Sequence, residues 1–310
     1  YVVERLISTS TGEAEVYLLR DGDQASVLKL YYPNFKPKDE VLVPLKQLRH
    51  ADIINLIDYG YLQGRFFEIM EYAAGGTVDQ HLPIRDLPQL RALIAECVSA
   101  FRFCHDHGIV HKDIKPGNLY YKTADQTDIA IGDFGISSML EAGISRHLTS
   151  QSLTVGYAAP EMYGIGGKVY VGREVDYYAL GVTLIHLWAG RSPFEGLGIH
   201  AIANLTTTGA IKVPDDLPRD LQTLVRGLTT IDFTHRWGFD EVQRWLRGED
   251  VPVHVQAAAP AYPPLHVGVR DEAASPEALV LLLKANPSTG KKLLYSGKIS
   301  AWVNVFDRAR

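Results

Sequence analysis

Four residues near the middle of the chain have the types and the spacing that phosphoryl transfer requires. Asp113 is followed by Lys115, Asn118 and Asp133. A carboxylate can accept the proton of an attacking hydroxyl, and a nearby lysine can balance the charge on the phosphate in flight. An amide oxygen and a second carboxylate are hard ligands of the kind that Mg²⁺ prefers. The pattern therefore predicts a site that transfers a phosphoryl group with the help of magnesium.

Three ordered motifs contain or follow these residues: His111-Lys112-Asp113-Ile114-Lys115-Pro116-Gly117-Asn118, then Asp133-Phe134-Gly135, then Ala159-Pro160-Glu161. Each motif alone is a weak signal, but their order and distances make chance a poor explanation. Together they resemble the eukaryotic-type (Hanks-type) Ser/Thr protein kinase family. The resemblance covers about residues 2–246, and the style of the catalytic loop favours a bacterial member.

The resemblance implies an α+β fold of two lobes, a small β-rich N-lobe and a larger helical C-lobe, with a short helical C-terminal extension. It implies ATP and Mg²⁺ as cofactors and proteins with Ser or Thr acceptors as substrates. By resemblance, Asp113 is the catalytic base, and Lys115 stabilises the transferred phosphate and is typical of kinases that act on Ser and Thr. Asn118 and Asp133 match the two metal ligands.

The resemblance also assigns residues to the nucleotide. Lys29, on a predicted buried strand, matches the lysine that pairs with the α- and β-phosphates. Glu40 is the best match for its ion-pair partner, although the expected position is Val41 and Pro44 can shift the helical register. The adenine pocket is expected to comprise Met70 as gatekeeper, the hinge backbone of Glu71 and Ala73, walls from Ile7, Val16 and Val27, and Tyr120 on the floor.

The phosphate-binding loop departs from the family pattern. Glycines there let backbone N–H groups approach the phosphates closely. In this chain the three expected positions hold Thr9, Thr11 and Ala14, and only Gly12 lies in the turn. The loop is therefore expected to hold phosphates either less well or more stiffly. Tyr120 is a second departure, because a small aliphatic residue is common at that position.

Two other functions stay open. A pseudokinase, acting as a nucleotide-binding regulatory scaffold, would tolerate the altered loop. However, Lys29 and the four residues of the phosphoryl-transfer pattern are all present. A small-molecule phosphotransferase of related fold is the other alternative. The Ala-Pro-Glu motif argues against it, because this motif shapes a shelf for peptides.

The segment between the second and third motifs bears on regulation. Lys112 replaces the arginine that commonly pairs with a phosphate on this segment, and lysine cannot form that bidentate pair. Thr154 matches the threonine that braces Asp113 and Lys115 in Ser/Thr kinases. Further hydroxyls are either phosphorylation sites or polar loop residues: Ser145, Thr149, Ser150 and Ser152.

Two buried charges are expected to support the site. Asp176 resembles the aspartate of a central helix that anchors the catalytic loop. Glu161 is expected to pair with Arg236 inside the helical lobe, where the loss of either partner would be costly.

Hydrophobic patterns divide the chain into four regions. Residues 1–73 are predicted to be the N-lobe and hinge, with a helix at about 39–48, and residues 74–250 the C-lobe, with a long helix at 87–107. Residues 251–272 form a Pro- and Ala-rich linker. Residues 273–310 are a short helical accessory segment. This segment is either a regulatory module that docks on the kinase or on a partner, or a piece of a longer domain.

The overall composition is typical of a globular protein, with 46% hydrophobic residues and a net charge of −5. Nothing in this net charge suggests a surface that binds nucleic acid, so no nucleic-acid partner is expected. No membrane span or signal peptide is predicted. Cys97 and Cys104 lie on one predicted helix face, which favours two buried free thiols and a cytoplasmic location. The first residue is Tyr1 rather than Met, so the chain is expected to be trimmed from a longer protein.

Overall fold

The computed structural model describes residues 1–9, 12–37, 39–134, 155–163, 170–254, 265–267, 272–273, 279, 282–284 and 287–307. A sheet of β-strands comes first and a mainly helical part follows it. The predicted two-lobed α+β fold is confirmed.

The N-terminal lobe is built from five strands: β1 Val2–Ser8, β2 Ala14–Asp21, β3 Gln24–Tyr31, β4 Leu56–Leu62 and β5 Arg65–Glu71. They form one antiparallel sheet in the order β1-β2-β3-β5-β4. The tight turn between β2 and β3 needs a positive φ, which Gly22 supplies at 58°. One face of the sheet packs on helix α1 (Asp39–Gln47) through Tyr31, Leu42 and Phe66.

Helix α1 continues through Pro44. Proline lacks the N–H group that would bond to the carbonyl four residues earlier. The helix still extends to Gln47, and the Leu48 N–H group donates to the Pro44 carbonyl at 2.9 Å. Pro44 therefore removes one hydrogen bond within α1 and does not end the helix.

The C-terminal lobe contains helices α2 Leu87–Asp106, α3 Glu174–Ala189, α4 Ile199–Thr208, α5 Arg219–Leu228 and α6 Phe239–Leu246, and a small hairpin of β6 Leu119–Tyr121 and β7 Ile129–Ile131. The Asp86 carboxylate caps α2 by accepting from the Gln89 N–H group at 2.7 Å. The predicted apolar stripe of α2 is buried from Leu90 to Cys104. Both cysteines are free and buried, as the sequence predicts.

The C-terminal part of the chain continues beyond α6. Val251 is buried, and the Trp237 indole N–H donates to the Pro252 carbonyl at 3.1 Å, so the chain packs on the helical lobe at least this far. A short antiparallel pair of strands follows, β8 Leu265–His266 and β9 Glu272–Ala273, with helices α7 Pro287–Tyr295 and α8 Lys298–Asp307. Strand β8 lies in a region where no regular structure was expected.

A second apolar cluster forms around Trp302 of α8. Val267, Ala273 and Leu279 are buried with it. Helix α8 also lies against α4 of the helical lobe. None of the helices within the described ranges has the length and apolar character needed to cross a membrane.

An ion pair between Arg236 and Glu161 lies inside the helical lobe. The guanidinium forms two hydrogen bonds to the carboxylate, at 2.6 and 3.0 Å, and it also donates to the carbonyls of Thr230 and Glu174. The Arg236 side chain is fully buried and that of Glu161 is 7% exposed. The predicted pair is confirmed, and it ties the end of the Ala-Pro-Glu motif to α3.

Glu161→Gln is expected to lower the free energy of unfolding by about 3–5 kcal/mol, because it leaves the buried guanidinium without a counter-charge. Urea denaturation measures this loss. Asp106→Asn breaks the exposed pair with Arg102 and is the matched control, with an expected loss below about 0.5 kcal/mol. Similar losses in the two variants would contradict a stabilising role for the buried pair.

Candidate active site

A cleft of about 520 Å³ lies between the sheet and the helical lobe. Its lining brings together most residues assigned to the nucleotide: Ile7, Val16, Val27, Lys29, Met70, Glu71, Ala73 and Tyr120, with Asp133 beside them. Arg5, Ile54, Gln80 and His81 line the same cleft, and sequence reasoning missed them because they belong to no motif. Glu40 lies on α1, but its side chain is outside the described part, so its role stays a prediction.

Glu71 of the hinge makes polar contacts with residues of both lobes. Its N–H group donates to the Asn55 carbonyl at 3.0 Å, and its carboxylate accepts from the Asn55 amide at 2.9 Å. The Lys122 ammonium lies 3.3 Å from the same carboxylate. The next residues are held by the helical lobe, since Ala74 donates to the Lys122 carbonyl at 3.0 Å. Ala73 lies between these anchored residues and lines the cleft. The sequence alone did not predict this use of the Glu71 side chain.

The floor of the cleft shows why a tyrosine fits at position 120. The Tyr120 ring packs over Gly132, where an added Cβ atom would lie 2.8 Å from the ring and 3.0 Å from the Ile54 side chain. The large floor residue is therefore matched by a missing side chain directly before Asp133. Burial raises the pKa of the Tyr120 hydroxyl, which stays neutral. The sequence does show a glycine directly before Asp133, but only the packing shows that this glycine makes room for the Tyr120 ring.

Lys29 and Asp133 form an ion pair at the cleft. Lys29 lies on β3 and its side chain is 5% exposed, while Asp133 follows β7. Burial lowers the pKa of Lys29, but the carboxylates of Asp133 and Glu68 more than offset this, and the net shift is upward. Burial likewise opposes ionisation of Asp133, yet the lysine charge and hydrogen bond make the net pKa shift downward. Both groups are therefore charged at neutral pH.

The catalytic loop, residues 111–118, brings Asp113, Lys115 and Asn118 into contact. The Lys115 ammonium donates to Asp113 Oδ2 at 2.8 Å. The Asn118 amide nitrogen donates to the same oxygen at 2.8 Å and to the Asp113 carbonyl at 2.7 Å. A short 3₁₀ helix, Pro116–Asn118, turns the chain so that these contacts form. Among the described residues, Lys115 and Asn118 thus both hold Oδ2 of the Asp113 carboxylate.

Asp176, in the first turn of α3, holds the start of this loop. Its carboxylate accepts from the N–H groups of His111 and Lys112 at 2.9 and 2.7 Å and from His105 Nε2 at 2.8 Å. Burial opposes ionisation, but the bond from His105 and the nearby charges lower the pKa of Asp176 on balance. His111 Nε2 donates to the Gly132 carbonyl at 2.9 Å, which links the loop to Asp133. The anchoring role predicted for Asp176 is confirmed, whereas the part played by His105 was missed.

Asn118 and Asp133 fit the role of magnesium ligands. Because the Asn118 nitrogen points to Asp113, the amide oxygen faces away from that carboxylate and can act as a ligand. Asp133 supplies a carboxylate, and its φ of 67° directs the backbone in an uncommon left-handed conformation. Two protein oxygens suit an ion that keeps several waters and binds nucleotide phosphates.

The phosphate-binding loop lies between β1 and β2. Ala14 is fully buried, and Gly12 has a φ of 75°, so the glycine serves the turn. Burial raises the pKa of Glu13, whose carboxylate also experiences the charges of Lys29 and Asp133. The acid on this loop therefore lies within electrostatic range of Lys29 and Asp133, which the sequence did not predict. Thr11 lies outside the described residues.

The segment that follows Phe134 is described again only from Val155. Gly135, Thr154 and the predicted phosphorylation sites fall outside the described residues: Ser145, Thr149, Ser150 and Ser152. Beyond them, the Tyr157 hydroxyl and His186 Nδ1 of α3 are 2.5 Å apart. This bond fixes the end of the segment against α3, beside the catalytic loop.

The comparisons with known proteins agree with this geometry. The family model for the protein kinase domain matches residues 36–245. The sucrose non-fermenting protein kinase 1 of Fusarium virguliforme is 31% identical over 217 residues, which is 68% of this chain and 30% of that protein. The SNF1-like protein kinase ssp2 of Schizosaccharomyces pombe is 32% identical over 202 residues, which is 64% of this chain and 34% of that protein.

The chain thus spans about a third of the length of the curated relatives that it matches. The bacterial origin suggested by the loop style stays a prediction.

Gly132→Ala is expected to cost about 1–3 kcal/mol of unfolding free energy, because the new methyl group would overlap the Tyr120 ring. Adding Tyr120→Leu should recover most of this loss, since the smaller side chain makes room. Urea denaturation of the single and double variants measures both effects. If the two losses simply add, the ring and the glycine do not compete for the same space.

Proposed function

This chain belongs to the protein kinase family, and we propose that it transfers the γ-phosphate of ATP to Ser and Thr hydroxyls of proteins. One observation carries the proposal. The Asp113–Lys115–Asn118 cluster and the Lys29–Asp133 ion pair are connected through the bond from His111 to the Gly132 carbonyl, next to a cleft of suitable size. These are the charges that phosphoryl transfer needs.

Asp113 would act as the base. Lys115 and Asn118 both donate to its Oδ2 atom, which would orient the carboxylate to accept the proton of the substrate hydroxyl. The hydroxyl oxygen then bonds to the γ-phosphorus as the bond to the β-phosphate oxygen breaks, and ADP is released. The Lys115 ammonium lies where it can balance the charge on the phosphoryl group in transit.

The nucleotide would bind with its adenine at the hinge formed by Met70, Glu71 and Ala73, and with its phosphates near Lys29. Asn118 and Asp133 would hold magnesium. When bound, the ion neutralises charge that develops on the phosphates. Glu40 stays a predicted partner of Lys29. The apolar walls of the cleft and the buried Tyr120 side chain would exclude water from the adenine ring.

Preference for Ser and Thr is supported by Lys115 in the catalytic loop and by the similarity to relatives named as protein kinases of the SNF1 type. We also propose a cytoplasmic location, because the two cysteines are free and buried, which is typical of a reducing compartment.

Asp113→Asn is expected to lower kcat by about 10²–10⁴-fold, because the variant cannot take up the hydroxyl proton, while the KM for ATP changes little. Transfer of labelled γ-phosphate to generic Ser/Thr and Tyr acceptors, with mapping of the modified residues, measures this. Asp106→Asn, an exposed substitution on α2, is the control. If the unaltered chain transfers no phosphate under saturating ATP and magnesium but binds nucleotide, the regulatory-scaffold alternative replaces this proposal.

We further propose that the accessory segment regulates the kinase by docking within the chain. Helix α8 lies against α4, and α4 contacts the short helices Val155–Tyr157 and Pro160–Tyr163, at the end of the segment between the second and third motifs. By packing on α4, helix α8 would therefore stabilise the surface that is expected to bind the substrate peptide. The buried Trp302 at the centre of the second cluster gives this segment a defined core.

Removing residues 255–310 is expected to lower kcat/KM for a protein substrate by about 10-fold while the KM for ATP stays within about 2-fold, because small displacements of a substrate surface reduce rates strongly. Cutting after His254 keeps the buried Val251 and the bond to Pro252. Trp302→Ala should reproduce the loss, whereas Tyr295→Ala, at a residue that is 87% exposed, should not. Unchanged activity and oligomeric state after truncation would rule out regulation by this segment.

A further inference from the structure

A buried glutamate of the sheet, Glu68, lies behind the nucleotide lysine. Glu68 is on β5 and is directly opposite Lys29 of β3 in the antiparallel register. Residues that are opposite one another in neighbouring strands project from the same face of the sheet. Both are almost completely buried, with 5% and 4% exposure. The lysine therefore has a carboxylate within its own sheet, in addition to Asp133.

Tyr31 completes this cluster from the same face of β3, two residues after Lys29. Its hydroxyl donates to Glu68 Oε2 at 2.8 Å. The Lys29 ammonium lies 5.2 Å from the centre of the Tyr31 ring. The ring thus borders the lysine, and the hydroxyl holds the carboxylate. Burial raises the pKa of Glu68 to about 6, against the opposing effects of the Lys29 charge and the Tyr31 bond.

Packing alone does not explain why position 68 holds a carboxylate. Neighbouring residues of β5, Phe66 and Ile69, are buried and apolar, and a hydrophobic side chain at position 68 would avoid the cost of desolvating a charge. The charge has a use once nucleotide binds. Lys29 would then turn to the phosphates and Asp133 to the metal, so the ion pair between them would weaken. Glu68 would remain as the anion that keeps the lysine in place.

We propose that Glu68 is the positioning residue for Lys29, a role that sequence reasoning assigned to Glu40 of α1. This inference rests on the proposed function. Glu68 acts through the lysine, because Lys29 lines the cleft and the described lining does not include Glu68. Both members of the pair belong to one sheet, so the position of the lysine is set by strand register. Movement of α1 would then have little control over it.

The test compares Glu68→Gln with Glu40→Gln in binding of a fluorescent ATP analogue with magnesium and in steady-state kinetics. Glutamine keeps an acceptor for the Tyr31 hydroxyl and removes only the charge. Glu68→Gln is expected to weaken nucleotide binding and raise the KM for ATP by about 10-fold, with a smaller effect on the KM for the protein substrate. Glu40→Gln is expected to have the smaller effect. Asp58→Asn, an exposed acid on β4, is the matched control.

A double-variant cycle separates positioning from general support of the fold. In a Lys29→Met background, Glu68→Gln should change nucleotide affinity less than 2-fold, because a residue that acts through the lysine has no effect without it. A loss that persists there, an unchanged affinity in Glu68→Gln, or a larger loss in Glu40→Gln would each overturn the inference. Because binding is read without turnover, a chain that binds ATP but transfers no phosphate would refute the proposed function while the comparison still decides the role of Glu68.

Discussion

The hydrogen bonds to the buried carboxylate of Asp176 determine the position of the loop that carries Asp113. A charge removed from water is tolerated only when its hydrogen-bonding capacity is met. Here His105 and the N–H groups of His111 and Lys112 meet it, and the position in the first turn of α3 adds the favourable end of the helix dipole. The backbone N–H groups of the two residues directly before Asp113 are thereby fixed. A shift of the loop would leave a charge unpaired inside the helical lobe.

This network also accounts for two unusual backbone conformations. Lys112 has a φ of 71° and Asp133 a φ of 67°, in the left-handed region that non-glycine residues seldom adopt. Such conformations cost on the order of 1–3 kcal/mol and persist only where surrounding contacts determine them. Asp176 holds the N–H group of Lys112, and Lys29 holds the carboxylate of Asp133. The strain is therefore located next to Asp113, the proposed base, and at Asp133, a proposed metal ligand, where buried charges offset it.

The sequence predicted the residues whose types the chemistry dictates at fixed spacing, such as Asp113 and Asn118, and the apolar face of α2. It did not predict contacts that depend on strand register or on packing between distant segments, including those of Glu68 and His105. A single acid within the apolar run of β5 was a signal, but only the register shows that it faces Lys29. The packing of Tyr120 on Gly132 also could not be predicted, because the two residues lie on different segments that only the fold brings together.

Lys29 and the loop that carries Asp113 belong to different lobes, and residues 132–134 contact both. Lys29 is placed by the sheet, and the catalytic loop is placed by α3. Asp133 pairs with Lys29, and the carbonyl of the preceding residue, Gly132, accepts from His111. The Phe134 ring packs on His111, with 4.5 Å between ring centres. Since Gly132, Asp133 and Phe134 are consecutive, a change in the pairing of Asp133 would act on two neighbours that contact His111, at the start of the loop that carries Asp113.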